Sequence, residues 1–365
     1  MHFGEPVSDE RFVKAVQLSH EVGVRTFMTS DVYGNGAADL LLAAALRGIE
    51  RDSYALVGMI GHDFYKGERL GAKGFPRFTN ASLRGPREYA DYIQMATEKE
   101  LERCAVDSFD CLMLHNPDYI GYSSDAVWSG MQRMKDQKLA RSIGVAPGPA
   151  NGFTLDLLLC FERFGALLDH AMVILNPLEP WPGSLCLEAA QRFDIELMTR
   201  VVDHGGLFHD DVKSGHEFAK HDHRSYRPAG WVEAGNAKID KMRHFAEKHG
   251  LSLLQLACVW NLSQAPVKCV IPTLIQEIGE GTKPIEDKIR DLAGVPSIEF
   301  SADEVREIAS IGNNKGCMHL KGGNPEYSGE SLADMWEIND DLLQVAARWK
   351  VDPQRDLCYK HSSAA

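Results

Sequence analysis

The stretch Thr26–Leu46, TFMTSDVYGNGAADLLLAAAL, decides the predicted fold. The β-prone run Val24–Thr29 ends at polar residues, a turn-prone Gly/Asn cluster follows at Tyr33–Gly36, and a Leu/Ala-rich helix is predicted over Ala37–Leu46. In barrel enzymes, the loop from the C-terminal end of a strand to the next helix carries the chemistry. Tyr33 lies on such a loop and is therefore a candidate catalytic residue.

The rest of the chain alternates strand-like and helix-like segments, which predicts an α/β protein with a parallel sheet. The seven predicted strands are Val24–Thr29, Tyr54–Ile60, Phe109–His115, Ala140–Val145, Ala171–Asn176, Glu196–Val202 and Lys268–Pro272. A closed (β/α)8 TIM barrel is the simplest arrangement, and Met1–Gly4 is predicted to begin the eighth strand. Without that strand, a partner chain has to close the barrel.

The sequence predicts a single domain over residues 1–365. Residues 1–296 form the barrel core, and residues 297–365 form a C-terminal extension that packs on it. The last predicted helix, Ser331–Trp349, is expected to cover the catalytic mouth together with long loops. No repeat, low-complexity segment or linker divides the chain.

Composition excludes several classes of function. The 365 residues carry a net charge of −13, so a surface for nucleic acid or an anionic membrane is not expected. The eight cysteines form no CxxC pair and lie mostly in apolar runs, which is typical of reduced, buried residues in an intracellular protein. With no membrane-spanning run and no signal-peptide pattern, the sequence predicts a cytoplasmic protein. The expected partner is a small-molecule substrate, and a homo-oligomer is left open.

Four further segments resemble motifs of the aldo-keto reductase family, as TSDVYGNG itself does. They are FDCLMLHNPD (Phe109–Asp118), ARSIGVAPGP, ILNPLEPW and CVIPTLIQ. They follow the family's order and spacing over nearly the whole chain. The resemblance implies a TIM barrel of that type, with Tyr33 as the catalytic tyrosine and His115 as the catalytic histidine.

Two positions depart from the family pattern. The resemblance implies that the tyrosine is activated by a lysine paired to an aspartate, because a phenol with a pKa near ~10 is a poor acid. In this chain Met28 stands at the aspartate position and Met59 at the lysine position. Replacing both halves of a buried ion pair is coherent, since removing only one leaves an unpaired buried charge. Tyr33 is then expected to keep a high pKa unless another cation lies near it.

The nicotinamide side departs as well. Ala146 and Pro147 stand where the family has Ser-Asn, and Leu175 and Leu178 replace the family's glutamine and stacking tyrosine. The segment Gln276–Lys288 carries an acidic insertion. The cations left to bind a cofactor phosphate are Lys283, Lys288 and Arg290. No cofactor is favoured on this basis, and NADP(H) stays open.

Polar residues at the predicted strand ends are the candidate substrate-binding residues. They are Asp31, His62, Asn116, Trp181, Arg200, Asp203 and His204. Arg200 lies in a strand that should be buried, and such a charge usually has a partner or a ligand anion. A metal is not predicted, because no HExxH or tight HxH pattern occurs apart from His221-Asp222-His223, which we interpret as fortuitous.

Three functions remain. The favoured one is a cofactor-independent lyase or isomerase that uses Tyr33 and His115 as an acid-base pair on a small polar, sugar-like substrate. The alternative is an NADP(H)-dependent aldehyde or ketone oxidoreductase with a rebuilt cofactor site. The third is a non-catalytic binding protein. NADPH binding and the Tyr33→Phe variant separate the three.

Overall fold

The computed structural model describes residues 3–69, 74–148, 153–220, 222–227, 229–315 and 338–357. Met1, His2, His221 and residues 331–337 of the last predicted helix lie outside the described residues. None of the described helices is long and apolar enough to span a membrane.

Seven strands form one parallel sheet in chain order, each paired with the next. They are β1 (Thr26–Met28), β2 (Ala55–Ile60), β3 (Phe109–His115), β4 (Ala140–Ala146), β5 (His170–Ile174), β6 (Glu196–Arg200) and β7 (Val267–Ile271). All seven strands predicted from the sequence are confirmed, with shifts of one or two residues at their ends. The parallel order places every C-terminal strand end at the same edge.

Helices lie between the strands and after the last one. They are α1 (Asp9–Glu21), α2 (Ala37–Leu46), α3 (Tyr89–Cys104), α4 (Tyr119–Ser123), α5 (Asp125–Asp136), α6 (Thr154–Phe164), α7 (Gly183–Phe193), α8 (Trp231–His249), α9 (Leu253–Leu262), α10 (Ile285–Ala293), α11 (Ala302–Gly312), α12 (Asp340–Arg348) and α13 (Pro353–Leu357). A large apolar core fills the space between these helices and the sheet.

A second, smaller core shows that the strands curl around a common interior. Four of its members are methionines, and with the side chains packed against it, which include a fifth methionine, all seven strands contribute. The cluster consists of Val57, Met59, Cys111, Met113, Ala146, Met172 and Met198, with Met28, Cys269 and Ile271 packed against it. The Thr26 side chain of β1 lowers the pKa of the Cys269 thiol of β7, which places the two side chains close together across the interior. This is the packing of a barrel core rather than of an open sheet.

The eighth strand is not confirmed. Gly4 has φ +63°, which is left-handed and not extended, and a side chain there would meet the Gln276 carbonyl oxygen at 2.2 Å. The Gly4 N–H donates to Asp222, at 2.6 Å, and the Glu5 N–H donates to the Gln276 carbonyl, at 2.7 Å. The prediction is therefore wrong for the described Phe3 and Gly4, since loop contacts occupy the groups that a strand ladder needs.

The C-terminal helix also differs from the prediction. The described part, α12, packs its buried residues Leu342, Val345 and Ala346 against the outer helix α6. Arg348 Nε donates to Glu162 of α6 at 3.0 Å, and the Trp349 indole donates to the same carboxylate at 3.0 Å. The apolar face of α12 thus covers a helix of the outer layer, and the described part of this helix does not lie over the mouth.

Candidate active site

Tyr33 begins a tight turn directly after β1. The turn, Tyr33–Gly36, is a 3-10 helix in which Gly34, Asn35 and Gly36 have positive φ. A side chain at Gly36 would meet the Arg103 guanidinium at 2.6 Å, so glycine is needed there. The turn holds Tyr33 at the C-terminal edge of the sheet, with 44% of its surface exposed.

His115 ends β3 and lies beside Tyr33. The two ring centroids are 5.6 Å apart, at an interplanar angle of 88°. His115 is only 7% exposed. The structure therefore brings together the two residues that the sequence predicted as the acid-base pair.

Ser30 connects His115 to the backbone of β2. The Ser30 Oγ lies 2.8 Å from His115 Nδ1, and the same hydroxyl donates to the Met59 carbonyl oxygen at 2.9 Å. Ser30 is fully buried. Sequence reasoning missed this residue, although its position two residues after β1, one residue before Asp31, placed it at the same edge.

His62 lies beside His115, and Asn116 is hydrogen-bonded to His62. His62 Nδ1 donates to the Phe75 carbonyl at 2.9 Å, because a carbonyl can only accept. The Asn116 side-chain amide then donates to His62 Nε2 at 3.2 Å. The His62 ring centroid is 5.6 Å from that of His115. Both predicted substrate-binding residues thus lie next to the acid-base pair.

Burial keeps the titratable groups of the site neutral. Burial lowers the pKa of His115 well below its ordinary value, helped by the positive fields of His62 and Arg200. Burial also lowers the pKa of His62 to about 4. Tyr33 has 44% of its surface exposed, yet the protein atoms around its phenol raise its pKa, and the Arg200 guanidinium offsets only part of that rise. At neutral pH the site therefore holds two neutral imidazoles and a neutral phenol.

The two methionines lie in the apolar interior, as their sequence positions predicted. Met59 is 3% exposed and belongs to the interior cluster, against which Met28 packs. The Met59 N–H donates to Glu100 of α3, at 3.1 Å. Glu100 is fully buried, and this burial raises its pKa well above the ordinary value. No lysine takes the place of Met59 in this cluster, so the cation that acts on Tyr33 is Arg200.

Arg200 is the last residue of β6, and only part of its guanidinium is hydrogen-bonded to protein groups. Its Nη2 donates to the carbonyl oxygens of Pro147, at 3.1 Å, and Gly148. Its Nε is buried without a hydrogen-bond partner among the described residues. Since a buried N–H without an acceptor is costly, this guanidinium is suited to receive a polar or anionic group.

Four other predicted residues lie elsewhere. Asp31 is fully buried towards α2 and α3, where the Arg103 guanidinium is its nearest cationic influence, and burial raises its pKa well above the ordinary value. Ser30 and Asp31 therefore have different neighbours, His115 for Ser30 and the Arg103 side of the helix layer for Asp31. Asp203 accepts from the Thr273 N–H at 2.6 Å and joins the loops that follow β6 and β7.

His204 and Trp181 have partners of their own. His204 has φ +50°, and its Nδ1 lies 3.9 Å from the buried Glu179 carboxylate. The Trp181 indole donates to the Asp356 carbonyl of α13 at 2.6 Å, and the Lys315 ammonium lies 4.5 Å from its ring centroid. The structure thus holds Trp181 through the C-terminal segment and does not bring it to Tyr33.

The predicted phosphate-binding cations are engaged with protein groups. Lys288 is 1% exposed, pairs with Asp211 at 2.7 Å and donates to a backbone carbonyl. Lys283 donates to the His209 carbonyl at 2.7 Å, and Arg290 pairs with Asp287 at 3.0 Å on the surface. The groove beside them contains four acidic residues, Asp210, Asp211, Glu217 and Glu280. Lys213 and His216 line the same groove, in which Asp210 pairs with Lys213 and Asp211 pairs with Lys288.

A metal centre finds no support in the part of the chain that the structure describes. No group of three or more His, Cys, Asp or Glu side chains is placed there to hold an ion. The ring centroids of His62 and His115 are 5.6 Å apart. Nδ1 of His115 is hydrogen-bonded to Ser30, and Nδ1 of His62 is hydrogen-bonded to the Phe75 carbonyl.

Comparison with known proteins gives concordant matches. The model of the Aldo/keto reductase family matches residues 1–313. An aldo-keto reductase from Mycolicibacterium smegmatis is 28% identical over 144 residues, which is 38% of this chain and less than half (41%) of that protein. The solved glycerol dehydrogenase of Gluconobacter oxydans has a TM-score of 0.66 and 19% identity, over 85% of this chain and 87% of that one. An aldo/keto reductase from Klebsiella pneumoniae, solved with NADP and acetate, has a TM-score of 0.56 and 17% identity, over 84% and 87%.

Proposed function

Because the chain belongs to the aldo/keto reductase family, we propose that it is an enzyme acting at a carbonyl or hydroxylated carbon of a small polar substrate. In this proposal Tyr33 and His115 are the acid-base pair, and the reaction is an isomerisation or elimination without hydride transfer. The observation that carries the proposal is the apolar packing of Met28 and Met59 at the positions of the family's aspartate and lysine. A tyrosine without that lysine stays protonated until the substrate oxygen becomes basic, and it then donates its proton to that oxygen.

The chemistry needs a base and an acid on either side of one carbonyl group. The neutral His115 ring removes a proton from the carbon next to the carbonyl, and the C–H electron pair forms a C=C bond. Tyr33 gives its proton to the carbonyl oxygen, so that the product of this step is an enol. For an isomerisation, the His115 imidazolium returns its proton to the former carbonyl carbon while the hydroxyl on the neighbouring carbon gives its proton to the Tyr33 oxygen. For an elimination, a hydroxyl on the next carbon leaves as water with the imidazolium proton while the enol O–H returns its proton to Tyr33, so that both residues regain their starting states.

Arg200 supports a polar substrate. Its buried Nε has no acceptor among the described residues, and its charge acts on Tyr33. An enolate-like or anionic oxygen beside Tyr33 satisfies both features. We therefore propose that Arg200 holds the charge that develops, with His62 and Asn116 beside the substrate. A hydroxylated, sugar-like carbonyl compound fits this set of polar side chains.

A second candidate is an NADP(H)-dependent oxidoreductase. It is favoured by the Klebsiella pneumoniae relative, which was solved with NADP. In such an enzyme the cofactor supplies a hydride, Tyr33 protonates the oxygen, and Arg200 takes over the electrostatic role of the lysine. The engaged Lys288 and the acidic groove count against it.

We further propose that the protein works in the cytoplasm. The six cysteines in the described residues are all free, and five of them are buried. Burial raises the pKa of Cys111 and Cys186 to about 12, so these thiols stay protonated and unreactive.

Proton exchange in heavy water tests the proposed function without knowledge of the natural substrate. The protein is incubated with glyceraldehyde, dihydroxyacetone or a ketose in D2O without NADPH, and deuterium at the carbon next to the carbonyl is measured by NMR. The proposal predicts exchange that is lost in Tyr33→Phe and His115→Gln. Tyr54→Phe, at the opposite end of the barrel, is the matched control. NADPH-dependent reduction of the same compounds without exchange would establish the second candidate instead.

A further inference from the structure

The hydroxyl of Ser30 has one proton and two neighbours. It lies 2.9 Å from the Met59 carbonyl oxygen and 2.8 Å from His115 Nδ1. A carbonyl oxygen can only accept, whereas a neutral imidazole nitrogen either donates or accepts. The arrangement that satisfies both contacts has Ser30 donating to Met59 and His115 Nδ1–H donating to Ser30.

If Ser30 donated to His115 instead, the buried oxygens of Ser30 and Met59 would repel each other. The two oxygens would face each other at 2.9 Å with no proton between them. Ser30 is fully buried, and Met59 is 3% exposed, so water cannot relieve that contact. The Met59 carbonyl also accepts from the Asp31 N–H at 3.1 Å, and it is the close contact of two oxygen lone pairs at 2.9 Å that selects the first arrangement.

We propose that Ser30 is a positioning residue that fixes His115 in the tautomer protonated at Nδ1. The lone pair of Nε2 then faces the side of Tyr33, and no hydrogen bond to Nε2 is formed within the described ranges. This inference rests on the proposed function, and it restricts the class of substrate that the enzyme can use. His115 accepts a proton or hydrogen bond from the substrate, while the carbonyl oxygen is left to Tyr33. The substrate therefore carries a hydroxyl or an acidic C–H beside its carbonyl group.

His62 shows why His115 is the base. Both rings are protonated at Nδ1, because Nδ1 of His62 donates to the Phe75 carbonyl at 2.9 Å. The Nε2 of His62 is already occupied by the Asn116 amide, at 3.2 Å. Of these two imidazoles, His115 is the one with Nε2 left for a substrate.

Nitrogen NMR of the full chain reads this tautomer directly. In protein labelled with 15N-histidine, the His115 ring, assigned by its loss in His115→Gln, is expected to show a protonated Nδ1 and an unprotonated Nε2. In Ser30→Ala the ring is expected to become a mixture of tautomers, and Ser30→Thr should restore the parent spectrum. Ser142→Ala, which removes a hydroxyl bond to the Asp110 carbonyl on the strand pair β3–β4, is the matched control.

Activity measurements on the Ser30→Ala variant distinguish a positioning role of Ser30 from a role in packing alone. Ser30→Ala should lower kcat of the exchange reaction by about 100-fold with little change in KM, at the lower end of what a positioned base contributes. A parent ring protonated at Nε2, or a Ser30→Ala variant with an unchanged tautomer, overturns the inference whether or not a substrate is turned over. The expected tautomer together with absent exchange would reject the proposed function and leave the tautomer assignment standing.

Discussion

At the scale of single residues, burial and not charge pairing sets the chemistry of the site. The buried His62 and His115 have their pKa displaced towards the neutral form by loss of water, and the pKa of the half-exposed Tyr33 is also raised. Neutral imidazole is the form that accepts a proton, and neutral phenol is the form that donates one. Both groups are thus in the protonation states that the proposed reaction needs at neutral pH, while the raised pKa of Tyr33 leaves Arg200 as the group that assists its proton transfer.

The buried His62 should make the fold sensitive to acid. Its pKa is about 4 in the folded protein, below the ordinary 6.5, so the unfolded chain takes up the proton first as the pH falls. The stability that His62 contributes is complete above pH ~6.5 and is lost as the pH falls towards ~4, by about 3 kcal/mol in all.

The measurement is the free energy of urea unfolding at pH values between ~6.5 and ~4, for the parent and His62→Gln. The variant should lose this part of the pH dependence. His244→Gln, on the exposed side of α8, should keep it. Equal pH dependence in the parent and His62→Gln would show that His62 is not the acid-sensitive group.

The sequence predicted some residues of the site better than others. Tyr33 and His115 could be identified because each follows or ends a strand within a motif. Ser30 could not, since only the three-dimensional path of β1 beside β3 places a serine at His115 Nδ1. Asp31 was predicted as a substrate contact, but the structure directs it to the helix layer, and strand ends do not reveal that direction in advance.

At the scale of elements, β1 and β2 carry the main departure from the family pattern. Their inward side chains belong to a methionine-rich interior. The flexible apolar side chains of Met28 and Met59 therefore fill the place of the family's aspartate–lysine ion pair. The resemblance to the family's motifs made these two positions predictable from sequence. The helix α12 was not predictable in the same way, because an amphipathic helix does not disclose which apolar surface it covers.

Restoring half of the ion pair should be worse than restoring both halves. Met59→Lys places an unpaired ammonium in the interior and should cost about 3–5 kcal/mol in the free energy of unfolding. Adding Met28→Asp should recover at least ~1 kcal/mol of that loss through pairing.

Met59→Leu, which nearly conserves volume, is the control and should cost less than ~1.5 kcal/mol. Chemical denaturation of the parent, the Met59→Lys and Met28→Asp single variants and the double variant gives the coupling energy between the two positions. A Met59→Lys variant as stable as the control would mean that this position is open to water, which contradicts the packing described here.

At the scale of the whole molecule, the cations that the sequence offered to a nucleotide phosphate are engaged with protein groups in the segments after β6 and β7. The groove between the loops after β6 and β7 is acidic, and Lys288 is buried against Asp211. The N-terminal segment is tied to the same region through Gly4 and Asp222. The acidic insertion was evident in the sequence, but the pairing of Lys288 depends on the fold.

Titration of the purified protein with NADPH, followed by nicotinamide fluorescence, tests the central claim most directly. The account predicts no saturable change up to millimolar NADPH, and the same result with NADH. Saturation at micromolar NADPH would contradict it, because the acidic groove and engaged cations would then be compatible with a nucleotide phosphate. In that case Tyr33 would be the proton donor of an oxidoreductase.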